Sequence, residues 1–178
     1  LLDSYLRDDL PDGINLFDYA AVDVVGKQRL DDYLKAMQAL DPRDYPRAEQ
    51  MSYWINLYNA ATVALIVDNY PTDSITDLGE KFFAFGPWDD PAVEVQGRTL
   101  TLNDIEHRIL RPIWKDKRIH YAVNCASMGC PNLSGTAYTA ANTEQQLEQG
   151  AHDYINHPRG VRFDGKDIEV SSIYHWYK

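Results

Sequence analysis

Between Arg47 and Asn69 the chain places apolar side chains on nearly every side of one long helical stretch: Tyr53, Trp54, Ile55, Leu57, Tyr58, Val63, Leu65, Ile66 and Val67. A helix that is hydrophobic all round has no face to give to water, so it becomes the buried centre of a fold. The rest of the chain must supply its cover. Asn56 and Asn59 lie within it, three apart and therefore on one face. An unpaired buried amide costs about 1–3 kcal/mol, so both are expected to fasten a neighbouring backbone or a site.

The cover is legible in pieces. Leu30, Tyr33, Leu34 and Met37 recur at helical spacing and predict an amphipathic helix over Lys27–Leu40. Asp41–Pro46 breaks it with two prolines, and Pro46 suits the first turn of the next helix. Thr72–Pro91 reads as a loop rich in aromatics, with Phe82, Phe83, Phe85 and Trp88 around Gly86-Pro87. Val93–Leu102 alternates around Gln96-Gly97, and Val161–Val170 turns at Asp164-Gly165, so both read as hairpins. Helices are expected at Asp104–Leu110 after an Asn103 cap, at Thr143–Ile155 with Thr143 and Gln146 as a capping pair, and after Ser171 or Ser172. Ile119–Val123 reads as a short strand. Helices and strands are segregated, which predicts an α+β fold, a single domain over residues 1–178 with a central buried helix, a small antiparallel sheet and hairpins.

Charge and composition exclude several classes. The net charge of −10 argues against nucleic acid and against an anionic membrane surface. No apolar run is long enough to cross a bilayer. Gly26, Gly79, Gly86 and Gly97 form no phosphate-binding pattern, and no cofactor is expected. The chain starts at Leu1 with no signal-like stretch, so compartment is not readable from it.

The chemistry concentrates between Ile119 and Leu133. Both cysteines, Cys125 and Cys130, lie there, with His120 just upstream. Glu106 shares a helical face with Leu102, Ile109 and Ile113, where a carboxylate needs a hydrogen-bond partner. With Asn103 it also fits a capping box, so it reads as a cap, as the group that orients a histidine, or as both. Strand alternation sets His120, Ala122 and Asn124 opposite Cys125, and the two meet only if the chain turns at Asn124. His107 points about 100° away from Glu106, and His152, His157 and His175 have no cysteine nearby in sequence. A thiol, an imidazole and a carboxylate make a nucleophilic cysteine site. A short disulfide loop or an inert pair ranks second. A metal site on His120, Cys125 and Cys130 ranks third, because four intervening residues each time is not the usual zinc spacing.

Tyr53-Trp54-Ile55-Asn56-Leu57-Tyr58-Asn59-Ala60, Leu102–His107, and Ile119–Cys125 through Cys130-Pro131, with Ile173–Tyr177 at the end, resemble in this order the "domain of unknown function 547" family. That family occurs in bacteria, often in exported proteins, and in plants beside leucine-zipper segments, so the resemblance implies an exported or periplasmic location. It also implies a fold comparable with papain- and transglutaminase-like thiol enzymes and a Glu-His-Cys constellation, here Glu106, His120 and Cys125. The expected function is a cysteine-dependent hydrolase or acyltransferase acting on a peptide, amide, thioester or other small substrate. Backbone N–H groups after Cys125, or the Asn59 amide, would meet the oxyanion, with Asn124 and Cys130 in the binding loop and Phe82–Trp88 as a candidate wall. The alternative is a non-catalytic binding module in which Cys125 and Cys130 are structural or disulfide-bonded.

Overall fold

The computed structural model describes residues 1–79 and 86–176, and the expected wall residues Phe82, Phe83 and Phe85 lie outside them. The architecture is α+β. A short helix α1 (Leu2–Tyr5) and a two-residue ladder, β1 (Leu6–Arg7) with β2 (Leu16–Phe17), precede α2 (Val24–Ala39). The long helix α3 (Arg47–Asp68) follows, its first turn opening from Pro46, whose carbonyl accepts from Gln50 N–H. Its apolar girth has the expected consequence: Ile55 and Leu57 are wholly buried, and Tyr53, Trp54, Tyr58, Val63 and Ile66 nearly so. Helix α2 packs along it, and the Tyr53 hydroxyl donates to the Met37 carbonyl at 2.9 Å.

The hairpin β3 (Val93–Val95) and β4 (Arg98–Leu100) turns at Gln96-Gly97, both with positive φ (51° and 71°). This is the turn whose twist matches antiparallel strands. Val93 and Val95 face the core while Glu94 points out and its N–H donates to the Gln38 carboxamide at 2.7 Å. The π-helix Asp104–Leu110 runs into α4 (Arg111–Trp114) and packs on α3. After α5 (Thr143–Ile155) comes the ladder β5 (Val161–Asp164) and β6 (Asp167–Val170), then α6 (Ile173–Trp176). Its turn is Gly165-Lys166, one residue later than expected, with glycine supplying the positive φ of 62°. The described strands form three separate two-stranded antiparallel ladders.

Two local expectations are corrected. Ile119–Val123 is not a strand: Lys117–Tyr121 is a 3-10 helix, capped by the Asp116 carboxylate accepting from Arg118 N–H at 2.9 Å. A short apolar run buries equally well as a strand or as one tight helical turn, and the aspartate cap decides for the turn. Asn103 is not the cap of the following helix. It is already helical, and its amide donates to Asp89 at 2.9 Å. The capping pair is Thr101 and Asp104, each side chain accepting from the other's backbone N–H at 3.0 Å. The start of α5 is likewise fixed upstream, by Thr139 and Asn142, while the Gln146 amide donates to the Ala137 carbonyl.

Candidate functional site

Glu106 is relieved of capping by Thr101 and Asp104, and it points inward from the π-helix. It is 4% exposed, and its Oε1 stands 3.3 Å from His120 Nδ1. A π-helical stretch is rare and tends to mark sites where side chains are re-aimed. Here it turns one carboxylate onto one imidazole. The 3-10 helix carrying His120 is fastened from both sides. Arg118 reaches Asp116 at 2.7 Å and both Glu144 and Glu148 on α5, at 2.7 and 3.1 Å. Helix α5 comes close enough that a Cβ on Gly150 would sit 3.2 Å from the Tyr121 carbonyl. Glycine permits that approach.

The two asparagines of α3 explain themselves. Asn59 donates to the Ala122 carbonyl at 2.9 Å and accepts from Asn124 N–H at 2.8 Å, clamping the chain where it leaves the 3-10 helix. Asn56 holds Tyr138 in the same reciprocal way, at 2.7 and 2.9 Å. The Asn59 carboxamide is thus engaged at both ends by backbone.

The cysteine loop follows directly. Cys125 and Cys130 form a disulfide, with Cα atoms 6.2 Å apart. The pairing ranked second from the sequence is the one present, and Cys125 as it stands carries no free thiol. The two cysteines are not equivalent: Cys125 is half-buried and Cys130 buried. Ala126, next to Cys125, sits in the left-handed region at φ 53°, a costly conformation for a residue with a Cβ.

Long-range donors hold the loop by its carbonyls. Arg159 Nη1 donates to those of Met128 and Cys130 at 3.2 and 3.0 Å. The Tyr154 hydroxyl donates to that of Gly129 at 2.6 Å, and Asn124 Nδ2 to that of Pro131 at 2.8 Å. Asn124 Oδ1 also accepts from Ala126 N–H at 2.9 Å. Asn124 therefore closes the base of the loop. Burial lowers the pKa of Arg159 from its ordinary value, a sign of how far this guanidinium has left solvent to reach the loop. Tyr154 and Arg159 were not singled out in the sequence, and no local pattern marks them, because their partners lie 25 to 31 residues away. The Thr101 and Asp104 pair did leave a signal, a threonine followed three residues later by an acid.

Glu106, His120, Cys125 and Cys130 line one cleft of about 1020 Å³. Trp88 and Ile75 lie on its wall, with Met128, which is 61% exposed. The outlying histidines do not belong to it: His107 Nδ1 faces Arg111 Nη1 at 3.0 Å, and His157 Nε2 donates to the Asp12 carbonyl at 2.9 Å. Among the described residues no three His, Cys, Asp or Glu side chains gather as metal ligands. Nor is any described helix long and apolar enough to cross a membrane. No curated protein and no solved structure matches the chain. The family model described as "Protein of unknown function, DUF547" matches residues 42–155, more than half of the chain, which therefore belongs to that family.

Proposed function

We propose that the cleft is a thiol site for acyl transfer from an amide or thioester, in which Cys125 is the nucleophile once its bridge to Cys130 has been reduced. The observation that carries this reading is the buried Glu106 carboxylate held 3.3 Å from His120 Nδ1 on the wall that also bears Cys125. An external dithiol reduces the bridge, becoming a disulfide itself and leaving two thiols. His120 then takes the Cys125 proton at Nε2, while Glu106 accepts the Nδ1 proton in a hydrogen bond and fixes the tautomer. The sulfur attacks the carbonyl carbon, and the amine or thiol leaves with the proton returned by His120. Water or a second nucleophile then releases the acyl group from sulfur.

Cys125 is preferred over Cys130 because it is the more exposed of the two. With the Asn59 amide committed to Ala122 and Asn124, the backbone N–H groups of Ser127 and Met128 take the oxyanion in this reading.

A second reading is favoured by the bridge and its carbonyl clamps: a non-catalytic module whose loop is rigid for binding. Alkylation separates the two. Without reductant, iodoacetamide should label neither cysteine. After reduction, peptide mass spectrometry should find Cys125 labelled rapidly at about pH 6, well below the free-thiol pKa near 8.5. His120→Ala and Glu106→Gln should slow it and move its pH profile upward. A reduced Cys125 with an ordinary thiol profile, indifferent to His120, would establish the binding module instead.

A further inference from the structure

Beside His120 the chain builds a second concavity of about 420 Å³ whose lining includes Arg111, Lys115 and Lys117. Two helical segments create it. His107 and Arg111 are four apart where the π-helix runs into α4, and Lys115 follows at the C-terminal end of α4. Lys117 and His120 are three apart on a 3-10 helix, where such side chains eclipse. The two segments meet at the pocket. Arg111 Nη1 lies 3.0 Å from His107 Nδ1, which aligns that pair. Lys115 is held at the helix end in a left-handed conformation, φ 56°. The carboxylate on the wall, Asp116, is already bound to Arg118 at 2.7 Å. Among the described residues neither Lys115 nor Lys117 is paired with a carboxylate.

Such a pocket is unusual here. The chain carries 27 acidic and 17 basic residues, so its general field repels anions. A concave site where Lys115 and Lys117 stand beside Arg111 runs against that general balance of charge. Guanidinium and ammonium groups converging on a cavity suit a carboxylate or phosphate oxyanion.

We propose that this pocket is an anion subsite, and that it receives a carboxylate or phosphate group on the substrate acted on at Cys125. The second clause rests on the acyl-transfer reading, through His120, which lines both the pocket and the thiol cleft. The first does not. An anion here would lie close to the imidazole and stabilise its protonated form as the thiolate forms, coupling substrate binding to activation of sulfur.

The test uses the whole chain, reduced and freed of reductant. Inorganic phosphate is titrated calorimetrically into wild type and into Lys115→Gln/Lys117→Gln, whose folding is checked by circular dichroism. Saturable one-to-one binding, weakened roughly tenfold in the double variant by loss of two charge-assisted contacts, is the expected result. Cys125 labelling is then timed with iodoacetate and with neutral iodoacetamide. The iodoacetate to iodoacetamide rate ratio should fall in the double variant, and phosphate should suppress the iodoacetate reaction selectively. Phosphate binding that is absent, or indifferent to the double variant, overturns the subsite. Binding with an unmoved ratio overturns its assignment to the substrate and leaves a site for free anions. A Cys125 that neither reagent finds activated removes the acyl-transfer reading alone, since the phosphate titration judges the pocket independently.

Discussion

Helix α3 and the segment 117–131 face each other across Asn59, and they are held by different forces. The helix is held by area: Ile55 and Leu57 are wholly buried, with Tyr58 and Ile105 packed in the same core. The segment is held by connections. It has an aspartate cap, an arginine bound to three carboxylates, one reciprocal asparagine contact, four clamped carbonyls and a disulfide. Hydrophobic burial is non-directional and sets where a helix lies. Hydrogen bonds are directional and set where each atom lies. A loop expected to present one sulfur to one imidazole needs the second kind, and α3 serves as the rigid post from which part of it is hung.

The comparison breaks first, and most strongly, in the scaffold. Leu57→Ala should cost about 2–5 kcal/mol in chemical denaturation, the range for emptying a fully buried leucine site. A loss below 1 kcal/mol would mean that the polar fasteners and not the apolar girth carry the fold. Next come the two asparagines. Asn59→Ala and Asn56→Ala each orphan one backbone N–H and one carbonyl, at roughly 1–3 kcal/mol for a buried group left unpaired. The stability losses should be similar, but only Asn59→Ala should alter alkylation of reduced Cys125. Equal effects of both on labelling would remove the distinction between post and loop.

A smaller effect is expected from the bridge. Cys125 and Cys130 are separated by 5 in sequence, and closing so short a loop constrains the unfolded chain by only about 2 kcal/mol. Cys130→Ser should therefore lower the denaturation midpoint modestly. The loop carbonyl contacts of Arg159, Tyr154 and Asn124 should persist, as read by amide exchange from Ala126 to Cys130. Loss of protection throughout that stretch would make the disulfide, and not the clamps, the organiser of the site.

The same division decides what the sequence discloses. The buried helix, its amphipathic neighbour and the hairpin at Gln96-Gly97 are written in periodicity and turn chemistry, because burial and backbone twist act locally along the chain. Glu106, His120 and both cysteines were identifiable as residues, since charged and nucleophilic groups in apolar runs are conspicuous. Their arrangement was not identifiable. Alternation in an assumed strand put His120 and Cys125 on opposite faces, whereas a 3-10 helix followed by a clamped loop sets both on one cleft. Asn59 reads from the sequence as fastening a backbone or a site, and its carboxamide bonds the backbone of Ala122 and Asn124, partners that no local pattern discloses. Tyr154 and Arg159 act on carbonyls far upstream, and a backbone carbonyl has no signature in sequence.

The smallest effect sharpens the comparison by pH. Asp116 caps the turn that carries His120, and its hydrogen bonds from Arg118, side chain first and backbone N–H as well, hold its carboxyl below the ordinary 3.8. A carboxyl with a depressed folded pKa contributes stability that is complete above its unfolded pKa and is lost as pH falls through the folded value. The stabilisation from Asp116 should therefore be complete and independent of pH near neutrality, and the turn should loosen only below about pH 4. The Arg118 amide proton reports this directly, because it donates to the Asp116 carboxylate at 2.9 Å. Its chemical shift should titrate with a midpoint under 3.8, and the Ala122 and Val123 amides, which donate to the Ile119 carbonyl at 2.9 and 3.2 Å, should move with it. In Asp116→Asn that acid transition should vanish, while amides in the middle of α3 keep their wild-type shifts in both proteins. A midpoint at or above 3.8, or α3 amides moving in step, would show that the turn and the scaffold respond to acid as one body, and the division of forces drawn between them would fail.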